Sequence, residues 1–308
     1  MRRILPLFAF GLAFALGSDA LGDPPKVVVS IKPLHGLVAA VMDGVGQPRL
    51  LIKSGADPHE YSMKPSDAEA LSNAGLVVWA GPGVETFLEK AVASLAGKAK
   101  VIRLDQEESL TLLPAREGGA WEEDEDERGG EHKHGAVDGH LWVSPANADA
   151  IVRVAVRELS ALDKANAAKY AANGAKTRAA LEALDAELKK QLAPVKAKRF
   201  IVSHDSIQYF QKHFGLAAVG AIAISPDRPP SAKRLTELRE RLRKEKVACV
   251  FSEPQVPDRL AKTMVEGTAA RTGVLDTDGG LTVPEGKDAY FTMMRNLAKA
   301  LADCLGKG

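Results

Sequence analysis

The sequence predicts an α/β protein of two lobes, each with a parallel four-stranded sheet flanked by helices, joined by one long rigid helix. Three observations support this prediction. The 308 residues exceed one ordinary hydrophobic core. Short β-branched runs alternate with helical patterns in both halves of the chain, which is typical of parallel sheets covered by helices. Between the halves lies a segment rich in Ala, Lys, Glu and Leu, which has the composition of a single helix.

Each half of the chain contains four candidate strands, and helical patterns separate them. We expect strands at 27–31, 49–53, 76–80 and 100–104, and then at 199–203, 217–224, 247–252 and 273–276. Turn and capping signals bound the helices between them: Pro65 opens one, and Gly75 follows its end. A last helix is predicted at 289–304.

The segment 166–192 predicts a helix that connects the lobes as a rigid strut. Four leucines recur within it at helical spacing: Leu181, Leu184, Leu188 and Leu192. A helix of this length spans about 40 Å, which is more than a small domain needs for its own coverage. Gly174 lowers the stability of this helix by about 1 kcal/mol without breaking it, and Pro194 stops it.

The N-terminus has the features of a cleavable export signal. Arg2 and Arg3 precede a mostly apolar run, and the small residues at 20–22 suit cleavage before Asp23. An uncleaved amphipathic anchor is the alternative. No later stretch has the roughly 20 apolar residues of a membrane helix. The cleavage point has no cysteine, so a lipid anchor is not indicated. We therefore expect a signal peptide at 1–22, an N-terminal lobe at 23–160, a linking segment at 161–195 and a C-terminal lobe at 196–308.

Export exposes the two cysteines, Cys249 and Cys304, to an oxidising compartment, where they are a reasonable disulfide pair. Cys249 lies in a strand-like run and Cys304 near the end of the last predicted helix. The bond would therefore attach that helix to a sheet and contribute roughly 4 kcal/mol at most. Two buried free thiols are the alternative.

The composition excludes several classes of protein. The hydrophobic fraction of 45% and the charged fraction of 26% are average for globular proteins and exclude a wholly disordered chain. Lysine and arginine number 41 against 40 acidic residues, and no basic stripe is interleaved with aromatic residues. Nucleic acid is therefore not an expected partner.

A charged, glycine-rich loop interrupts the N-terminal lobe at about 115–139. It contains six consecutive acidic residues at 122–127, followed by His132 and His134. Like charges at this density repel and bury little apolar area, so a solvated insertion is one interpretation. The other is a weak, labile metal-collecting arm that uses the two histidines and the acidic residues.

Three of the seven histidines follow strand-like segments, in loops that can converge: His59, His140 and His204. Imidazole is the commonest zinc ligand, and a neighbouring carboxylate can hold its second ring nitrogen. Three acidic residues are available for that role: Glu60, Asp138 and Asp205. Scattered histidines alone are a weak signal, because no closely spaced pair marks a site and ordinary surface or core histidines are the alternative.

The segments around these histidines carry a family resemblance. GADPHEYSMKPSD at 55–67, HLWVSP at 140–145 and HDSIQYF at 204–210 resemble the metal-binding solute receptors of bacterial ABC importers. The zinc-uptake branch is the nearest match, and the similarity covers nearly the whole mature chain. It includes the long central helix, the segment 251–255 and the two cysteines, which that branch pairs.

The resemblance implies two α/β lobes joined by a rigid helix, with one metal ion in the cleft between them. It implies that the ligands are His59, His140 and His204. The expected function is high-affinity zinc capture in the periplasm and delivery to an ABC permease in the inner membrane, without catalysis. We expect the receptor to be a monomer.

The fourth ligand is less well defined by the resemblance. The family's motif Leu-Asp-Pro-Leu-Gly is altered here to LDTDG at 275–279, where Asp276 occupies the carboxylate position and Asp278 is additional. Asp276 or a water molecule is expected to complete the tetrahedron, with Glu60 as a less favoured alternative.

Two other functions remain open at this stage. Three imidazoles favour zinc over manganese, which prefers oxygen ligands, but a manganese or iron receptor on the same scaffold is one alternative. A zinc-dependent hydrolase is the other, because three histidines and a water molecule also form a catalytic arrangement. No hydrolase motif such as His-Glu-x-x-His accompanies the histidines.

Overall fold

A computed structural model describes residues 23–53, 55–116, 137–223, 230–255, 258–280 and 282–307. This part of the chain forms two parallel four-stranded sheets flanked by helices, as predicted. The strands of the N-terminal lobe are β1 (Val27–Val29), β2 (Arg49–Leu50), β3 (Leu76–Trp79) and β4 (Lys100–Arg103). Those of the C-terminal lobe are β5 (Phe200–Val202), β6 (Ala218–Ala221), β7 (Cys249–Ser252) and β8 (Arg271–Val274).

The two sheets have equivalent strand orders, β2-β1-β3-β4 and β6-β5-β7-β8, and every neighbouring pair is parallel. Helices connect successive strands and cover the sheets. Those of the N-terminal half are α1 (Lys32–Val41), α2 (Pro65–Ser72), α3 (Thr86–Leu95) and α4 (Pro145–Leu162). They are followed by α5 (Ala167–Leu192), α6 (Gln208–Phe214), α7 (Ala232–Lys244), α8 (Arg259–Val265) and α9 (Ala289–Leu305).

Most strands are shorter than their sequence patterns predict, and β2 illustrates the reason. The pattern predicts a strand at 49–53, whereas the regular strand ends at Leu50. The backbone N–H groups of Leu51 and Ile52 still donate to the carbonyl groups of Val29 and Ser30. The pairing therefore continues past the regular strand, while the chain bends towards the loop that carries His59.

The linking helix α5 lies within one residue of its predicted bounds, and the four predicted leucines are buried. It is not an isolated connecting helix, because α4 packs along it. At Gly174 a Cβ atom would lie 2.4 Å from Cγ2 of Val156 on α4. This glycine therefore permits the close approach of the two helices, a packing benefit that offsets its intrinsic cost to the helix.

One continuous cluster of buried apolar side chains runs through both lobes. It includes Leu34 of the N-terminal lobe, Tyr170 of α5 and Phe251 of the C-terminal lobe, each fully inaccessible to solvent. Two smaller clusters lie elsewhere, one in each lobe. Because the shared core would have to be broken to separate the lobes, the fold favours a fixed cleft over a wide hinge.

The predicted disulfide between Cys249 and Cys304 is present, with the Cα atoms 6.3 Å apart. Cys249 begins β7 and Cys304 lies in the last turn of α9, so the bond attaches the final helix to the sheet as expected. The alternative of two free thiols is excluded.

The described residues contain no helix long and apolar enough to cross a membrane. The predicted signal peptide at 1–22 lies outside the described residues, and so do His132 and His134 of the charged loop. The loop is described only at its ends, where Pro114 and Val137 form an isolated antiparallel bridge.

Candidate metal centre

The structure brings together the three histidines that the sequence singles out. Nε2 of His140 lies 3.3 Å from Nε2 of His59 and 3.3 Å from Nε2 of His204. Within the described part of the chain, these three residues form the one group of three or more His, Cys, Asp or Glu whose ligand atoms all lie within 4.8 Å of one another. His59 and His140 come from the N-terminal lobe and His204 from the C-terminal lobe.

His59 lies in an irregular loop that a short-range turn shapes. Oδ1 of Asp57 accepts the backbone N–H of His59 at 2.9 Å. Aspartate side chains commonly form this turn by bonding to the backbone two residues further along the chain. Its imidazole is more exposed than those of His140 and His204, which are both buried. Burial, followed by the charges of His140 and His204, lowers the pKa of His59 to about 2. His59 is therefore neutral, which is the form that binds a metal ion.

His140 is held by the same kind of aspartate and by the start of α4. Oδ1 of Asp138 accepts the backbone N–H of His140 at 3.0 Å and also contacts its Nδ1 at 2.9 Å. A short 3-10 turn follows at Leu141–Val143, and Ser144 then caps α4 by accepting the N–H of Asn147. The carboxylate and the helix start fix the orientation of the ring, so that Nε2 points into the cleft.

His204 follows β5 by two residues, and a buried glutamate holds it. Oε2 of Glu253 lies 2.7 Å from Nδ1 of His204, and both residues are more than nine-tenths buried. Burial alone would lower the pKa of this imidazole, but the charge and hydrogen bond of Glu253, together with the charges of Asp278 and Asp57, outweigh that effect and raise the pKa to about 9. The same pairing lowers the pKa of Glu253 against the opposing effect of burial. Glu253 thus orients His204 with Nε2 free to face the cleft.

Glu253 was not predicted from the sequence as the partner of His204. A usable signal was present: Glu253 directly follows β7, and β7 pairs with β5, so the two side chains leave the same edge of the sheet. Of the acidic residues proposed for this supporting role, Asp138 takes it. Asp205 instead forms an ion pair with Arg116 at 3.3 Å, and Glu60 is exposed.

The loop at 276–280 supplies two carboxylates, Asp276 and Asp278, next to the cleft. Oδ1 of Asp276 accepts the backbone N–H groups of Asp278 and Gly280 at 3.2 and 3.0 Å. Asp278 lies where its charge interacts with His140 and His204; burial raises its pKa to about 7 despite that attraction. Asp276 therefore organises its own loop, while the charge of Asp278 interacts with His140 and His204.

Aromatic side chains tie the two lobes together around the histidines. The hydroxyl of Tyr209 on α6 donates to the carbonyl of Asp138 and accepts the N–H of Leu113, each at 2.9 Å. Trp142 donates its indole N–H to the carbonyl of Thr277 at 2.8 Å. These bonds join backbone next to His140 with backbone or helices of the opposite lobe, so the nitrogen positions are determined by both lobes together.

The spacing of the nitrogen atoms fits tetrahedral zinc. Two nitrogen atoms bound to one Zn²⁺ at about 2.0–2.1 Å with tetrahedral angles lie about 3.3 Å apart. Nε2 of His140 lies at this distance from Nε2 of His59 and of His204, and the ligand atoms of all three histidines lie within 4.8 Å of one another. The three imidazoles can therefore share one ion with little rearrangement.

Comparison with known proteins points to one family. A model of the family described as "ZnuA: Zinc-uptake complex component A periplasmic" matches residues 27–304. The "High-affinity zinc uptake system protein ZnuA" of Brucella suis biovar 1 is 41% identical over 322 aligned positions, which cover 96% of this chain and 96% of that relative.

Solved structures of the same family are similar to this chain in fold. A "Crystal structure of ZnuA" has a TM-score of 0.76 and 25% identity, and it covers 92% of this chain and 100% of its own. A "138-173 ZnuA deletion mutant plus zinc bound" also has a TM-score of 0.76 and 25% identity, with 92% and 98% covered. The similarity thus extends over both lobes and the linking helix.

Proposed function

This chain belongs to the family of periplasmic zinc-uptake components, and from that premise we propose that it captures Zn²⁺ and delivers it to a membrane permease. The observation that carries the proposal is the convergence of three imidazoles, from both lobes, with Nε2 of His140 at the tetrahedral zinc spacing from Nε2 of each of the other two. The proposed ligands are His59, His140 and His204. In this role zinc is the cargo and no bond of a substrate is broken.

The fourth coordination position is proposed to hold a carboxylate or a water molecule. The family motif at 275–279 favours Asp276, with Glu60 as a less favoured alternative. The two backbone hydrogen bonds to Asp276 count against it, because they occupy one of its carboxylate oxygens. Asp278, whose charge interacts with His140 and His204, is therefore a second candidate.

The nitrogen-rich ligand set supports zinc over manganese or iron. Manganese prefers carboxylate and carbonyl oxygens and lies below zinc in the usual order of divalent affinities. If the protein were a manganese receptor, manganese would displace bound zinc at comparable concentrations in a competition titration. We expect no such displacement here.

A hydrolytic role has less support than transport. The family is one of solute-binding components and not of enzymes. Three carboxylates close to the histidines are already engaged, since Asp138 and Glu253 contact imidazoles and Asp205 contacts Arg116. We expect the zinc-loaded protein to show no turnover of ester or phosphoester substrates, and turnover that Glu60→Gln abolishes would support the hydrolase.

The cellular setting of the proposal follows the family and the sequence. We propose that residues 1–22 are a cleaved signal peptide, that the mature chain is a periplasmic monomer, and that its partner is an ABC permease of the inner membrane. The lobe boundaries near 160 and 195 and the labile metal loop at His132 and His134 likewise stay predictions.

The direct test is anomalous diffraction at the zinc edge on protein purified without added metal. We expect one strong peak within bonding distance of Nε2 of His59, His140 and His204, and the same map identifies the fourth ligand. A peak elsewhere, or none in protein that contains stoichiometric zinc, would contradict the proposed site.

The proton dependence of binding provides a second test. Zinc binds only deprotonated imidazole, and the pKa of His204 is raised to about 9, so protons compete with zinc at this ring and affinity is expected to fall as the pH drops below about 9. Titration at pH 5 and pH 7.5 measures this. Equal affinity at the two values would be incompatible with a site of three imidazoles.

A further inference from the structure

Lys32 is a buried lysine whose charge is met by backbone oxygens. The residue is only 4% exposed to solvent. The ammonium group donates to the carbonyl of Gly279 at 2.9 Å, to that of Val283 at 2.8 Å, and to that of Gly280. An ammonium group has three N–H donors, so these three carbonyls satisfy it completely.

This arrangement crosses the cleft between the lobes. Lys32 is the first residue of α1 in the N-terminal lobe, and the three carbonyls follow β8 in the C-terminal lobe. A buried ammonium group pulled away from its acceptors would lose its hydrogen bonds without gaining water, so the contact strongly resists separation. Lys32 is therefore a specific tie between α1 and the 276–280 loop.

The loop lies between a cation and an anion. Its carbonyl groups at Gly279 and Gly280 point to Lys32, while its N–H groups at Asp278 and Gly280 point to the carboxylate of Asp276. Gly280 has no room for a side chain, because a Cβ atom would lie 2.6 Å from Oδ2 of Asp276. The peptide groups are thus held from both sides, and their orientation depends on both charges.

We propose that Lys32 is a positioning residue for zinc capture: by holding the 276–280 loop against α1, it sets where the loop's two carboxylates stand relative to the histidines. The inference rests on the proposed zinc-binding function and deepens it. Lys32 contacts no zinc ligand nitrogen, and it acts through the loop. Loss of the ammonium group frees the loop, and the cleft then holds zinc less tightly.

A second lysine between the lobes provides a matched control. Nζ of Lys287 lies 2.8 Å from Oδ2 of Asp43, but the two side chains are 49% and 42% exposed. Exposed ion pairs contribute little to binding or stability. Lys287→Met therefore removes one charge and one contact between the lobes without disturbing the 276–280 loop.

The test compares Lys32→Met with wild type, Lys287→Met and Leu242→Ala. Leu242 lies in the separate apolar cluster under α7, so its truncation destabilises the C-terminal lobe away from the cleft. The zinc dissociation rate is measured by chelator competition, and the hydrogen exchange of the amides at 276–280 is measured in the metal-free protein. If Lys32→Met does not fold, as judged by circular dichroism, Lys32→Gln takes its place.

We expect the Lys32 variant to release zinc about 10–100 times faster, the range typical for loss of groups that orient metal ligands. Exchange at 276–280 should rise in the same variant. Lys287→Met and Leu242→Ala should keep dissociation within about twofold of wild type. A wild-type dissociation rate in the Lys32 variant, or an increase equal to that of Leu242→Ala, overturns the inference.

These outcomes are separable from failure of the proposed function. If wild type and Lys287→Met bind no zinc, the receptor assignment itself fails. If both bind zinc tightly and the Lys32 variant matches them, only the positioning role of Lys32 is overturned.

Discussion

Each lobe buries one glutamate beyond its third strand, and the two glutamates differ in what they face. Glu85 follows β3 and Glu253 follows β7, and these strands hold equivalent places in the two sheets. Each glutamate accepts the hydroxyl group of a serine that follows the neighbouring central strand: Ser30 in the N-terminal lobe and Ser206 in the C-terminal lobe. The two lobes thus repeat the same polar arrangement.

The difference lies in the partner of the second carboxylate oxygen. In Glu253 it contacts the imidazole of His204, whereas in Glu85 it accepts the backbone N–H of Gly81 at 3.1 Å. Burial raises the pKa of Glu85 to about 7, while His204 lowers that of Glu253. At the same position of the fold, Glu253 is therefore an ionised carboxylate that orients His204, whereas Glu85 bonds to its own lobe's backbone and to Ser30.

The largest expected effect is the loss of the histidine that Glu253 holds. His204→Ala removes one of the three proposed nitrogen ligands, so zinc affinity should fall by more than about 100-fold, beyond the range for supporting residues. Competition with a chelator measures the change. His213→Ala is the control, because His213 contacts Asp185 and not the cleft. Equal affinity of the two variants would remove His204 from the site.

The next effect separates the two glutamates. Glu253→Gln keeps the size of the side chain but loses the charge that orients His204, so zinc affinity should fall about 10–100-fold. Glu85→Gln should leave it within about twofold, because Glu85 has no contact with the histidines. If both substitutions weakened zinc binding equally, the contrast between the lobes would have no functional meaning.

A smaller effect distinguishes the acids of the 276–280 loop. Asp278→Asn should weaken zinc binding by about tenfold, because the charge that interacts with His140 and His204 is lost. Asp276→Asn keeps an oxygen that can accept the two backbone N–H groups, and it should cost less. Isothermal titration of both variants decides the order. The reverse order would restore Asp276 as the favoured fourth ligand.

The smallest effect on zinc, but a measurable one on folding, concerns Glu85. Its pKa is about 7 in the folded protein and near 4.5 when exposed. Folding therefore favours the protonated carboxyl group, and this stabilisation is complete below pH 4.5 and lost as the pH rises to 7. The free energy of unfolding of wild type relative to Glu85→Gln should fall by on the order of 3 kcal/mol across that interval.

Urea unfolding of the metal-free proteins at several pH values tests this prediction. Comparison with Glu85→Gln cancels the titration of all other groups that both proteins share. A difference independent of pH between 4.5 and 7 would show that Glu85 is ionised in the folded protein, as Glu253 is.

Much of the architecture was predictable because it depends on local patterns. The alternation of strands and helices, the leucine spacing of α5 and the pairing of the two cysteines all correspond to the structure. Strand ends were predicted too long, as at β2, because apolar residues such as Leu51 and Ile52 continue into loops whose direction depends on the neighbouring strand.

The site was predictable in part, for a different reason. His59, His140 and His204 were identified through their flanking motifs, and the structure brings their Nε2 atoms together. Glu253 and Lys32 were missed as supporting residues, because neither has a nearby sequence partner: Glu253 is 49 positions from His204, and Lys32 is 247 from Gly279.

The amino-acid order alone determined the succession of strands and helices, the two-lobed class and the residue types able to bind zinc, since these follow from periodicity and side-chain chemistry. Only the tertiary structure decided which carboxylate orients each imidazole, which loop the buried ammonium group holds, and how far apart the nitrogen atoms lie. The physical reason is that these contacts join distant segments of chain. Their distances are set by strand pairing and by a core shared between the lobes, and neither is encoded in any local stretch of sequence.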